Sequence, residues 1–147
     1  MRIRKARRSD VERIAELSGE LGYPASTAQV AARLRQLKPV SKHAVHAVFV
    51  AESPDAATGL VGWLHVSVSH LLESDIRAEV NGLIVAEGQR SAGAGAKLLD
   101  AAEEWARRHG CQGMNVRSNV IRERAHKFYE RQGYEHYKTQ KAFRKAL

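Results

Sequence analysis

The stretch "VAEGQRSAGAGAKLLDAAEEWARRHG", residues 85–110, limits what this chain can become more than any other. An apolar run rich in β-branched residues, "RAEVNGLIV", ends in a charged turn, and Arg90, Gly93 and Gly95 follow. Leu98, Leu99, Ala102, Trp105 and Ala106 then recur at helical spacing until Gly110. This reads as a strand, a corner of small residues, and an amphipathic helix stopped by glycine. Such a corner exposes backbone N–H groups at the positive end of the helix dipole, where anions are stabilised. Arg90 adds charge or braces the loop, and a pyrophosphate is an anion that fits. The corner is not a P-loop, because Lys97 follows Ala96 and lacks the G-x-x-x-x-G-K-[ST] spacing. It is also a poor dinucleotide fingerprint, because Leu98 stands where the third small residue belongs.

The rest of the chain surrounds this corner with alternating elements. "MRIRKA" predicts a first strand and "RSDVERIAELSGELGY" a helix, with Ser9 and Asp10 as caps and Val11, Ile14, Leu17 and Leu21 on one face. "STAQVAARLRQL" predicts a second helix, capped by Ser26 or Thr27 and stopped by Pro39. "HAVHAVFVAES" and "LVGWLHVSVSH", joined by "SPDAATG", predict a hairpin with Leu60, Leu64, Val66 and Val68 inward. After the corner helix, "CQGMNVRS" reads as a short strand and "IRERAHKFYERQG" as a helix with Ile121, Ala125 and Phe128 in line. "YEHYKTQKAFRKAL" is expected to supply a last strand or pair of strands. With no repeats and no long linker, a single domain over residues 1–147 of mixed α/β class is expected.

Composition narrows the function. The formal net charge of +8 attracts anions in general. The basic residues are spread along the chain without an arginine-rich tail or zinc-finger spacing, so a nucleic-acid partner is not expected. No run of about 18 apolar residues implies a membrane span. No apolar signal core follows the basic start, and the one cysteine, Cys111, cannot form an internal disulfide, so a cytoplasmic location is expected. His43 and His46 are the only close histidine pair and lack a partnering acid, so no metal ligands are assigned.

"EVNGLIVAEGQRSAGAGAKLLDAAEEWA" resembles the GNAT superfamily of acyl-CoA-dependent N-acetyltransferases, whose pattern is a strand, then [QR]-x-x-G-x-[GA], then a helix. "NVIRERAHKFYERQGYE" resembles the family's helix ending in F-Y-E-x-x-G-[FY], and the strong likeness covers about residues 76 to 147. The resemblance implies a mostly antiparallel central sheet flanked by helices, acetyl-CoA as co-substrate, and a primary amine of a small molecule as acceptor, attacked directly in a ternary complex. Aminoalkylphosphonate N-acetyltransferases are the nearest pattern and aminoglycoside acetyltransferases a neighbour. Acetylation of proteins, or acyl-CoA binding without turnover, are the alternatives, and a homodimer is compatible with the pattern. Ser91 departs from the glycine many members carry, and Arg122 from the usual asparagine.

On this resemblance the acetyl-CoA site comprises Leu83, Ile84 and Val85 of the strand, then Arg90, Ser91, Ala92, Gly93, Ala94, Gly95 and Ala96 of the loop and helix start. Asn119 and Arg124 are expected to reach the pantetheine or the phosphates. An alkylamine with a pKa near ~10 is mostly protonated at neutral pH, so its attack on the thioester needs a base. Glu79, on the strand leading to the loop, is the expected base, with His65 and His70 as rivals. The departing thiolate needs an acid, and Tyr129 of the F-Y-E block is expected to donate, since a phenol is still protonated at neutral pH. A covalent acetyl-enzyme on Cys111 is discounted, because the residue opens a short strand after the helix-ending glycine, where a buried small side chain is common. Glu73 and Asp75, with Glu79, bring acid to the turn bordering the acceptor side.

Overall fold

Alternation, capping and glycine stops place the elements close to where the sequence puts them. The computed structural model describes residues 1–20, 22–38, 45–55 and 59–147. In chain order they form β1 (Arg2–Lys5), a 3-10 turn (Arg8–Asp10), α1 (Val11–Glu20), α2 (Thr27–Gln36), β2 (His46–Glu52) and β3 (Leu60–Ser69). They continue as β4 (Arg77–Val85), a second 3-10 turn (Glu87–Ala92), α3 (Ala94–Arg108), β5 (Met114–Val116) and α4 (Glu123–Arg131). Two compact units result, Met1–Val116 and Arg117–Leu147. Leu21, Pro39, His43 and Ala44, and the middle of the "SPDAATG" turn, to which expectations were attached, lie outside the described residues.

The first unit holds a five-stranded sheet in the order β1-β2-β3-β4-β5. The first four strands pair antiparallel, and only β5 joins parallel, to β4. This is the mixed, mostly antiparallel sheet expected. One face carries Ala47, Phe49, Leu64, Val66, Ala78 and Val80, all buried. Against β2, β3 and β4 packs α3, whose expected stripe of Leu98, Leu99, Ala102, Trp105 and Ala106 is buried in full. The opposite face is apolar along one half only: Ile14 and Leu17 of α1 cluster there with Val50, Leu60, Ile84 and Ala86, flanked by Trp63. Val68, expected inward, is only half-buried near the end of β3.

One of the expected caps forms and the other does not. Ser26 Oγ accepts from the Gln29 N–H at 3.1 Å and Gln29 Oε1 accepts from the Ser26 N–H at 3.0 Å, a reciprocal cap on α2. Among the described residues neither Ser9 nor Asp10 caps α1 as expected: Asp10 ends the 3-10 turn that leads into the helix, and its Oδ2 accepts the upstream Arg7 N–H at 2.6 Å. Asp10 is also gripped by the Arg4 guanidinium at 2.8 and 2.9 Å, and Arg4 reaches Glu52 at 2.6 Å. Burial works against the Asp10 charge, but the Arg4 and Arg7 hydrogen bonds outweigh it and hold the carboxyl below its ordinary range.

The second unit departs from expectation in two places. Helix α4 begins at Glu123, so Ile121 lies in the preceding turn and is 81% exposed instead of joining Ala125 and Phe128. The cause is local: Asn119 Oδ1 accepts the Ile121 N–H at 3.1 Å and the Asn119 carbonyl accepts the Arg122 N–H at 3.0 Å. A side chain that satisfies nearby backbone in this way competes with helix. Residues 134–147 form no strand. A strand needs an alternating apolar face to bury. Here Tyr137 and Phe143 are exposed, and Lys138, Lys141, Arg144 and Lys145 fill the spaces around them.

Candidate active site

The corner after β4 is built from backbone. Gly93 has φ 81, the left-handed region that favours glycine, and it ends the 3-10 turn and opens α3 in one residue. Among the described residues no side chain caps α3, so no capping acceptor there meets the first-turn N–H groups at Ala94, Gly95 and Ala96. Lys97 is the first whose N–H is taken by the Gly93 carbonyl, at 3.1 Å. Ala94 and Gly95 are buried, which seats the helix start against the body. Arg90 Nε lies 3.4 Å from the Val85 carbonyl, a long contact that braces the loop back onto the strand.

The strand leading into this corner is opened on one edge. Strand β5 pairs only with Ala78, Glu79 and Val80, although β4 continues to Val85. Among the described residues no strand pairs with the edge of Asn81 to Val85 that faces away from β3. The Ala86 N–H reaches the Val61 carbonyl of β3 at 2.8 Å. Alternation in an antiparallel pair then turns the Ile84 amide toward β3 as well, and those of Leu83 and Val85 toward the open edge. The Ile84 side chain is buried in the α1 cluster.

A bulge marks where the edge opens. His65 pairs with Gly82 and Val66 with Val80, which leaves Asn81 as the extra residue. Its amide Nδ2 donates to Ser67 Oγ at 2.9 Å and to the Glu79 carbonyl at 3.3 Å. Gly82 beside it has the Trp63 indole against it: a Cβ there would lie 2.9 Å from the ring. The sequence carried a hint, because Asn-Gly inside a strand pattern signals a bulge or a close backbone approach.

Register assembles the polar end of the α1 face. His46 pairs with Ser67, Ser67 with Glu79, and Glu79 with Asn115, which puts one side chain from each of four neighbouring strands in a row. Arg77 Nε donates to Asn115 Oδ1 at 2.9 Å. His65 lies diagonal to the row, with its Nε2 3.0 Å from His46 Nδ1 and the two rings stacked at 5.2 Å. One ring nitrogen of the pair donates and the other accepts. Burial, and then the neighbouring His46, push the His65 pKa down to about 4, so the imidazole is neutral at pH 7. His70, the other histidine rival, is exposed beyond the end of β3. Glu73 and Asp75 are exposed in the turn before β4.

The second unit carries the remaining expected residues. Tyr129, on α4, is half-buried beside Tyr134, with ring centroids 6.0 Å apart. Burial raises its phenol pKa, against a smaller lowering by Arg122, so the hydroxyl stays protonated at neutral pH. Asn119 is exposed and its side chain is engaged in the turn before α4, and Arg124 is exposed on α4. In the first unit, Cys111 is half-buried and its thiol is pushed up by burial, away from the thiolate that covalent catalysis needs. Among the described residues no group of three or more His, Cys, Asp or Glu side chains could hold a metal ion. No helix among them is long and apolar enough to cross a membrane.

Comparison with known proteins bears on the family and the fold. The model of the acetyltransferase (GNAT) family matches residues 10–134. Aminoalkylphosphonate N-acetyltransferase from Salmonella typhimurium is 36% identical over 75 residues, 50% of this chain and 49% of that protein, so the matched stretch spans about half the length of this curated relative. An aminoglycoside 6'-N-acetyltransferase from Acinetobacter haemolyticus superposes with a TM-score of 0.80 at 19% identity, covering 100% of this chain and 99% of the other. Another aminoglycoside 6'-N-acetyltransferase, solved with a bisubstrate analog built on CoA, superposes with a TM-score of 0.82 at 19% identity over 99% and 98% of the two chains. At that identity these two structures bear on the fold.

Proposed function

The chain belongs to the acetyltransferase (GNAT) family, and we propose that it moves an acetyl group from acetyl-CoA to the primary amine of a small molecule by direct attack in a ternary complex. The observation that carries this reading is the open edge of β4 leading into an uncapped helix start at a left-handed glycine. The pyrophosphate of acetyl-CoA would lie on the amides from Arg90 through Ser91, Ala92, Gly93, Ala94 and Gly95 to Ala96. The pantetheine would extend along Leu83, Ile84 and Val85, where the two outward amides donate, and one of them would meet the thioester oxygen as charge develops on it. Asn119 and Arg124 would meet the pantetheine or the phosphates.

Glu79 takes the amine proton, directly or through water, and the row on which it sits marks the acceptor side of the sheet. His65 is the alternative base, with the drawback that a pKa of about 4 makes it weak at neutral pH. Tyr129 returns a proton to the CoA sulfur. Both units act as one domain in this reading, in line with a family match that runs through both. A cytoplasmic location fits the single half-buried cysteine.

The preferred acceptor is a small amine carrying a phosphonate, phosphate or carboxylate, in keeping with a chain at +8 and with the aminoalkylphosphonate relative. An aminoglycoside is the second reading, favoured by the exposed Glu73 and Asp75 in the turn that leads to Glu79. The test is the initial rate of CoA release with aminoalkylphosphonates, simple diamines, an aminoglycoside and a peptide panel, in the wild type and in Tyr129→Phe. Tyr129→Phe should fold and turn over about 10²-fold more slowly. No release of CoA with any amine would overturn the enzymatic reading, and turnover of the aminoglycoside alone would select the second. An unchanged rate in Tyr129→Phe would remove the phenol from the mechanism.

A further inference from the structure

A cavity of about 380 Å³ opens between the end of β1, the start of α1, the inner face of α2 and the start of β2. Its wall and its mouth differ in kind. Ala6, Val11, Ala31, Leu34 and Val48 give it an apolar lining. Lys5, Arg8, Arg35 and Lys38 also line it, and all four are exposed, so their charges stand at the opening. None of the four makes an ion pair with a described residue, and the residues outside the description contain no Asp or Glu. No carboxylate lines the cavity either. Cations left unneutralised around an apolar hollow of ligand size differ from a scattered basic surface, where neighbouring acids disperse the field.

We propose that this cavity binds a small amphipathic organic anion, its apolar body on the Val11–Leu34–Val48 lining and its carboxylate, phosphonate or phosphate at the Lys5, Arg8, Arg35 and Lys38 mouth. His46, in the wall, leads from the cavity to the row that contains Glu79. The occupant is therefore either the anionic tail of a long acceptor or a separate effector with the same chemistry. The site itself stands independently of acetyl transfer, because binding is measured without acetyl-CoA.

Hexylphosphonate is the probe, with inorganic phosphate as the anion without a body and hexanol as the body without a charge. Isotope-edited NMR on the whole chain should show shifts at Ala6, Val11, Ala31, Leu34 and Val48. Hexylphosphonate should bind at least about tenfold more tightly than either control, as expected when apolar burial and charge act together. Arg35→Glu with Lys38→Glu should weaken binding by more than about tenfold, since each pair turns from attraction to repulsion. Ala31→Phe, which fills the hollow and keeps every charge, should do the same and serves if the double variant does not fold. Phosphate binding as tightly as hexylphosphonate, or shifts confined to other residues, would overturn the site. Competition of hexylphosphonate with the acceptor amine in steady-state kinetics supports the site as part of the substrate's path. Binding with an unchanged amine KM supports it as an effector site.

Discussion

The corner at Gly93 and the sheet face around Glu79 lie on one strand–turn–helix segment, and they are made in opposite ways. The corner offers amides. Its chemistry comes from one left-handed glycine, a helix start without a cap, and a strand edge without a partner. The face offers side chains. His46, Ser67, Glu79 and Asn115 come from four strands and meet only because the register aligns them. A backbone site tolerates any side chain that leaves the amides accessible, and it binds what all members of a family share. A side-chain site can be rewritten one residue at a time, so that is where acceptor specificity should reside.

The largest effect expected from this contrast is at the corner, and it should depend on charge and not on shape. Gly93→Asp puts a carboxylate beside the proposed pyrophosphate. At about 4 Å and an effective dielectric of ~20, one pair of unit charges repels by about 4 kcal/mol, close to a thousandfold in acetyl-CoA Kd. Asn is nearly the same size and tolerates the left-handed region about as well as Asp. Gly93→Asn should therefore cost similar folding stability and far less affinity. Calorimetric titration of both variants checks this, and equal losses would mean that the site is limited by backbone geometry alone.

The same contrast explains what could be read before the structure. The corner was legible because its parts are contiguous: the helical stripe, Arg90 and the glycines stand within one window, and each acts through local conformation. The buried stripe of α3 appeared as expected for that reason. The face was only half legible. Glu79 was picked out on resemblance, but nothing local joins His46 to His65, which lie 19 residues apart and meet through strand register. Strands expected at the C-terminal end failed on physical grounds, since Tyr137 and Phe143 are spaced by charged residues and no apolar face forms. Ile121 was assigned to a helix whose first turn Asn119 had already diverted.

On the side-chain face the effect should be smaller and should vary with pH. Glu79→Gln keeps shape and removes basicity, so acetylation should slow by about 10²-fold at neutral pH, the lower end for a proton-transfer role because water can relay. The deficit should narrow as pH rises toward the amine pKa, where neutral amine is abundant. Acetyl-CoA affinity should not change, because the amides of the corner are untouched. A rate deficit that stays constant from neutral to high pH would leave Glu79 as a packing residue of the row and move the base to His65 or water.

The smallest effect concerns stability and separates the two regions by titration, since amides do not titrate and histidines do. His65 has a folded pKa of about 4 against an ordinary value of 6.5. Between those values the unfolded chain takes up a proton that the folded one refuses, so stability must fall as pH drops through this window and be fully present above it. One such group contributes a slope of at most about 1.4 kcal/mol per pH unit. Asp10 and Glu52, which Arg4 holds below their ordinary values, lose their contribution as pH falls through the carboxylate range, and comparison with His65→Gln subtracts it because both carboxylates are unchanged there. Urea unfolding of the wild type and of His65→Gln at several pH values between about 4 and 6.5 measures the difference. Glutamine can still bond to His46 but cannot accept the proton, so the variant should show a flatter profile. A slope equal to the wild type's would place the titrating group elsewhere and leave the histidine pair as a neutral contact within the face.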